Sequence, residues 1–468
     1  MRGAHGVTAN AAECAKTPSN EGDSAMAGLR AGKMLSLFSS KPSRSSQRAQ
    51  ADAPSARRDA IWLSALVLLA GCGAKTGLEI PEFPPLDASV DAPQTPDGGT
   101  MPDICIELPP REPPTEFTVS FITRISTADV LFLVDVTGSM GDEITQVRSG
   151  LRGTIVPGIA AAIPDVHFSV AQYADFPIAP YGEPEDLPFL LRTASTSDLP
   201  SVQRGLDQLV AGGGSDTPES GVEALYLMAT GERAGLLVPP RRCAAGTIGY
   251  PCFRREGTRI VIFVTDAPSH NGPSGADPYG ADVAPPPHTY PEALAALRGI
   301  GAKVLGLYSG FGEDAGRMEL ETIARDTGAI SASGEPIVID IGADGANLGP
   351  SVVSAVQTLV DEAPIDITIA LEDDPSDDLD ALTFVRGIET VAADPAIGAV
   401  QEADRFRAVR PGTRVTFRVR LNNTSIERGP LPIRYRMRVD LIGDAATLLS
   451  ETQVEVVIPS LDGAGCAP

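Results

Sequence analysis

The segment Asp135-Val136-Thr137-Gly138-Ser139 sets a carboxylate and two hydroxyls at every second position. These are hard oxygen donors, which suit Mg²⁺, Mn²⁺ or Ca²⁺ rather than zinc. The competing reading is a turn in which Thr137 and Ser139 only cap the next helix. Two further segments bring acids into comparable settings. Gly212-Gly213-Gly214-Ser215-Asp216-Thr217-Pro218-Glu219-Ser220-Gly221 carries two carboxylates to the expected start of a helix, and Thr265-Asp266 ends the apolar run Ile260-Val261-Ile262-Phe263-Val264. One acid from each segment plus two hydroxyls makes an octahedral oxygen set. Acids converging without compensation are destabilising, and a cation removes that cost. The His residues are His5, His167, His270 and His288, and no Cys-x-x-Cys spacing or His cluster suggests zinc. His270 and His288 flank the Gly/Pro-rich stretch 271–287 and are expected to be loop residues rather than ligands.

Positioning these loops requires a particular scaffold. From about 128 to 362, apolar runs alternate with amphipathic segments. The expected strands are Val130–Val134, Val166–Gln172, Phe189–Arg192, Arg259–Thr265, Lys303–Tyr308 and Ile337–Asp340. Continuous apolar runs are what strands buried on both faces require. Helices are expected at about 218–230, 291–300, 317–326 and 350–361, with Pro218, Pro291 and Pro350 near first helical positions. Strand and helix in alternation predict an α/β domain, a doubly wound parallel sheet whose ligands bind beyond the carboxyl ends of its strands. From about 363 the pattern becomes alternating, as in Ile365–Leu371, Val415–Leu421, Tyr435–Leu441 and Val454–Val457, which predicts an antiparallel β-sandwich in 363–468. Phe117–Phe121 alternates likewise, making 115–127 a candidate first sandwich strand.

The three-loop pattern resembles the von Willebrand factor A domain and its metal-ion-dependent adhesion site, whose first motif D-x-[S/T]-x-S matches Asp135, Thr137 and Ser139. In detail it is most similar to the I-like domain of integrin β subunits. Asp216-Thr217-Pro218-Glu219 resembles the D-x-P-E of that domain, and Val264-Thr265-Asp266-Ala267 resembles its T-D-A. The resemblance implies a central Mg²⁺, Mn²⁺ or Ca²⁺ held by Asp135, Thr137, Ser139, Glu219 and Asp266, with one coordination position left for a partner's Asp or Glu carboxylate. It implies an adjacent metal at Asp142 and Glu143, which could equally be acids favouring a helix N-terminus. Through Tyr173-Ala174-Asp175-Phe176 it further implies a third metal at Asp175, Asp216 and Glu219. Gly214 stands where the family carries an Asn that assists this third site. The integrin analogy also implies that the A domain is inserted in the sandwich.

The chain has 468 residues and a net charge of −24. Such a surface repels nucleic acid and anionic lipid. Residues 1–56 are polar and unpatterned, and are read as unstructured and upstream of the true start. Ile61–Ala70, preceded by Arg57-Arg58 and followed by Gly71-Cys72, resembles a bacterial lipoprotein signal in 57–72, with Cys72 lipidated after cleavage. This implies a lipid-anchored protein of the cell envelope. Gly73, where an Asp would retain it at the inner membrane, points to the outer membrane. Residues 73–114 read as a Pro/Asp-rich linker. In an oxidising envelope Cys243 is expected to pair with Cys252, and Cys105 with Cys466. The expected function is cation-dependent binding of a protein or other macromolecule, without catalysis. The alternatives are an envelope protein whose metal only stiffens the domain, and a metal-dependent hydrolase using His270 as base.

Overall fold

The computed structural model describes residues 102–310, 314–342, 348–375 and 379–466, without the side chains of Asp142 and Leu348. The segments 1–56 and 57–72, Cys72 itself, and the linker up to residue 101 lie outside the described residues.

Two strands, β1 (Ile104–Glu107) and β2 (Thr115–Ile122), open the described chain. The linker expected over 73–114 therefore ends in a strand, which its Pro-rich flanks obscured. Next come β3 (Thr127–Asp135), helix α1 (Gly141–Gly150), and α2 (Val156–Ala162) after a single wide turn. They are followed by β4 (Asp165–Tyr173), β5 (Leu190–Thr196), α3 (Leu199–Asp207) and α4 (Gly221–Thr230). A small hairpin of β6 (Thr247–Ile248) and β7 (Phe253–Arg254) precedes β8 (Thr258–Thr265). Then α5 (Tyr290–Gly299), β9 (Lys303–Tyr308), α6 (Ala315–Asp326), β10 (Val338–Asp340) and α7 (Leu348–Glu362) complete this part.

The main sheet runs β10-β9-β8-β3-β4-β5. All its pairs are parallel except β4 with β5. The parallel expectation fails at that edge because a loop, with no crossover helix, joins β4 to β5, and such a connection reverses the strand. In β3 the residues alternate between two cores: Val130, Phe132 and Val134 join the cluster of α1, α2, α3 and α7, while Leu131 and Leu133 join that of α4, α5 and α6. Every residue from Val130 to Val134 is at most 1% exposed, which is why the run shows no polar alternation.

After α7 the chain is β throughout: β11 (Ile365–Asp373), β12 (Val385–Asp394), β13 (Val400–Gln401), β14 (Arg405–Val409), β15 (Arg414–Leu421), β16 (Ile433–Gly443) and β17 (Thr447–Ile458). One sheet runs β1-β17-β16-β11-β14-β13 and the other β12-β15-β2. Phe406 of one meets Phe417 of the other edge to face, 5.2 Å apart. Strand β2 pairs antiparallel with β15, and β1 pairs parallel with β17. The chain thus begins among these sheets, leaves them for the α/β part, and returns. Cys105 and Cys466 are disulfide-bonded, and so are Cys243 and Cys252.

Cationic side chains of the α/β part reach the sandwich. Lys303 Nζ lies 3.0 Å from Asp444, Arg255 contacts Asp440 at 3.1 Å, and the buried Arg259 donates to Thr447 Oγ1 at 2.9 Å. The hairpin β6–β7 is held by Asp129, itself wholly buried, which accepts from Arg254 N at 2.6 Å, Arg254 Nε at 2.8 Å and Ser195 Oγ at 3.1 Å. Asp129→Ala removes the buried acceptor shared by Arg254 and Ser195, while Arg254 keeps Asp165 and the Ala128 carbonyl, and should cost about 2 kcal/mol. Urea unfolding measures this directly, and a loss below about 0.5 kcal/mol would show that the pair contributes no more than a surface one.

Candidate metal centre

The carboxyl ends of β3 and β8 point into one group of loops. Asp135, the last residue of β3, is wholly buried. Its Oδ1 accepts from Thr137 N at 2.9 Å and Thr137 Oγ1 at 2.7 Å, and its Oδ2 accepts from Thr265 Oγ1 at 2.8 Å. Thr137 Oγ1 is 3.2 Å from Ser139 Oγ, which donates to Asp266 Oδ1 at 3.2 Å. Asp135, Thr137, Ser139 and Asp266 are therefore one connected set of oxygens. Asp135 and Thr137 form its buried floor and Ser139 its exposed rim.

The glycine-rich loop is zipped to this set by its backbone. Gly138 N donates to Gly213 O at 3.0 Å and Gly212 N to Val136 O at 2.9 Å. Gly213 and Gly214 both have left-handed φ, +79° and +71°, where glycine is favoured. A Cβ at Gly214 would stand 3.1 Å from Thr137 Cβ and 3.2 Å from Glu219 Oε1. That closeness accounts for glycine, not Asn, at this position. Glu219 is extended rather than helical: its N donates to Pro268 O at 3.0 Å, its O accepts from His270 N at 2.8 Å, and it bridges Ser269 in parallel. Helix α4 consequently begins at Gly221, and Pro218 lies in the acid loop instead of at a first helical position.

Asp175 and Asp216 are brought close to His270, and Glu219, expected beside them, is near enough to both acids to be raised by them. Single ligand atoms of Asp175, Asp216 and His270 all lie within 4.8 Å of one another. His270 lies in a loop, as expected, but is buried at 4% exposure. The loop following it folds back over the site, with Tyr279 buried and donating to Asp175 Oδ1 at 2.6 Å. His288 instead contacts Glu223 at 2.9 Å, away from this cluster. Glu143 is buried in the first turn of α1, and the side chain of Asp142 lies outside the described residues. Residues not expected as ligands also serve the site. Thr265 supports Asp135, Asp186 accepts from Gly214 N at 2.9 Å, and Glu319 accepts from Ser269 N at 2.9 Å.

Burial pushes Asp135 up to about 7, partly offset by its bonds to Thr137 and reinforced by Asp266. Glu219 is pushed up to about 10 by burial and by Asp135, Asp175, Asp216 and Asp266. Asp175 rises to about 7 through burial, and Asp266 rises for the same first reason. Among the described residues no Lys or Arg pairs with Asp135, Glu219 or Asp266. Glu219 Oε2 is buried without a hydrogen-bond partner. An orphaned carboxylate oxygen beside acids and hydroxyls is the environment a hard divalent cation satisfies. Asp135, Thr137, Ser139, Glu219 and Asp266 would hold it.

No protein-family model matches the sequence, and no curated protein does. Among solved structures, a von Willebrand factor type A protein from Catenulispora acidiphila aligns over 76% of this chain and 72% of its own, at 14% identity and a TM-score of 0.34. The pilus adhesin SpaC from Lactobacillus rhamnosus GG, in an open conformation, aligns over 73% of this chain but 45% of its own, at 10% identity and a TM-score of 0.31. The chain thus spans less than half of that adhesin's length. Likeness at this level says nothing of ligand or partner, which the side chains themselves must indicate.

The raised acids make stability depend on pH. Unfolded carboxylates titrate near 4, whereas Asp135 and Asp175 titrate near 7 and Glu219 near 10 in the fold. Their contribution is complete below the unfolded value and is lost as pH rises through the folded values. After EDTA treatment, the thermal midpoint should fall steadily between about pH 5 and about pH 9, and saturating Mg²⁺ should reverse most of that fall. A midpoint indifferent to pH and Mg²⁺ over this range would contradict the assignment.

Proposed function

We propose that this chain is a lipid-anchored cell-envelope protein that binds a macromolecular partner through a divalent cation in an adhesion-type site. In this reading the α/β part is an A-type module inserted in the β-sandwich, carried at the outer membrane by lipidated Cys72. The observation that carries it is the orphaned Glu219 Oε2, buried among acids with which no Lys or Arg pairs among the described residues. When bound, the ion supplies a Lewis-acidic position to which a partner's Asp or Glu carboxylate can attach. Ser139 and Asp266 form the side reachable from solvent, whereas Asp135 is sealed beneath them.

Binding without chemistry agrees with the surroundings. His270, the one histidine near the acids among the described residues, has Nδ1 engaged by the backbone carbonyl of Asp277, and its Nε2 faces Asp175 and Asp216. That nitrogen is therefore turned towards buried acids and away from the exposed Ser139, where a hydrolytic water would have to be activated.

The test uses the full chain, labelled and incubated with bacterial envelope fractions in Mg²⁺ or EDTA. Bound protein should fall about tenfold in EDTA, and Asp135→Ala should bind as poorly in Mg²⁺ as wild type does in EDTA. Circular dichroism should show Asp135→Ala folded. Equal, cation-independent binding by both proteins would overturn the proposal. Mg²⁺ that raises the thermal midpoint without changing binding would favour a stiffening role instead.

A further inference from the structure

The cluster beneath the glycine-rich loop differs in chemistry from the oxygen set above it. Asp175 is wholly buried, and its Oδ2 has no hydrogen-bond partner. Asp216 Oδ1 and His270 Nε2 are likewise buried and unpartnered. Ligand atoms from three different segments thus converge on one small space, all within 4.8 Å of one another, with Asp216 turning its Oδ2 towards His270 Nε2. His270 is oriented by its other nitrogen. The Asp277 carbonyl can only accept, so Nδ1 carries the hydrogen and Nε2 is the atom turned towards the acids. Metal-binding histidines are commonly fixed in this way, with the far nitrogen donating to a carbonyl. Tyr181 and Tyr279 pack against the imidazole, with ring centroids 5.2 Å and 4.2 Å away, and fix its plane.

Distance separates a direct contact from a bridged one. Nε2 lies 3.5 Å from Asp216 Oδ2 and 3.8 Å from Asp175 Oδ2. Both exceed an ordinary N–H···O bond. Two donors each about 2.1 Å from a shared ion stand roughly 3.0–3.4 Å apart, close to what is seen. One imidazole with two carboxylates is softer than an all-oxygen set, and imidazole favours transition ions over Mg²⁺ or Ca²⁺.

We propose that Asp175, Asp216 and His270 form a separate site for a first-row transition ion such as Zn²⁺, selective against Mg²⁺ and Ca²⁺. The proposal goes beyond the adhesion reading and does not require it. The ion would tie the end of β4, the glycine-rich loop and the segment after β8 together. Because His270 N holds Glu219 O, occupancy would also steady Glu219 beside the first site.

The experiment is calorimetric titration of the EDTA-stripped full chain with Zn²⁺ and, separately, Mg²⁺. Asp135→Ala should keep the Zn²⁺ event of wild type, while His270→Gln should weaken it by about 100-fold or abolish it. Zn²⁺ binding that persists unchanged in His270→Gln, or that disappears in folded Asp135→Ala, would overturn the proposal. Should His270→Gln fail to fold, long-range ¹H–¹⁵N NMR of wild-type imidazoles decides. A His270 Nε2 resonance moved by Zn²⁺ but not by Mg²⁺ supports the site. A resonance showing a protonated Nε2 that Zn²⁺ leaves unmoved would mean a metal-free imidazolium bridging the two acids.

Discussion

Five carboxylates converge at the carboxyl end of one parallel sheet, and no Lys or Arg among the described residues comes to meet Asp135, Glu219 or Asp266. This concentration of like charge is what the rest of the upper face must accommodate. Glu219 feels the other four acids at once, and desolvation adds to their repulsion. A sheet can bear such a cluster only if its loops are held rigidly from behind and a cation is admitted from in front. Thr137 and Thr265 meet the first requirement by donating to both oxygens of Asp135. The second is met by leaving Ser139 exposed and Asp266 partly so.

The loops are fixed largely through backbone bonds. The first loop is joined to the glycine-rich loop, which is joined through Glu219 to the segment after β8. Such a ladder positions the loops through the main chain, while the side-chain bonds among Asp135, Thr137, Ser139 and Asp266 hold the oxygens against one another. Behind it lies a sheet buried on both faces, and beside the sheet a β-sandwich linked through Lys303, Arg255 and Arg259. Cysteines 105 and 466 join the two ends of the sandwich chain.

Much of this framework was legible because it rests on local periodicity. The six runs from Val130–Val134 to Ile337–Asp340 all became strands, and in β3, β8 and β9 burial on both faces leaves the apolar signature that marked them. The reversed β5 was not legible, because strand direction depends on the connection and not on the strand's residues. β12 and β14 were missed for other reasons: β12 is half-buried with little contrast between its faces, and β14 is only five residues long. At the site, Asp135, Thr137, Ser139 and Asp266 come together as their spacing suggested. His270 was read as a loop residue, or as a base in the hydrolase alternative, because its surroundings come from tertiary placement. Nothing in the residues flanking it indicates that Tyr279 and Asp277 return to pack on and orient it. Gly214, a departure when read against the family pattern, follows from the close approach of Thr137 and Glu219.

The most direct measurement of the central claim is anomalous X-ray diffraction from crystals of the protein grown with Mn²⁺. The account predicts a manganese peak in contact with Thr137 and Ser139 and flanked by Asp135, Glu219 and Asp266. Crystals saturated with Mn²⁺ that show no peak among these residues, with Glu219 protonated or turned away, would contradict it.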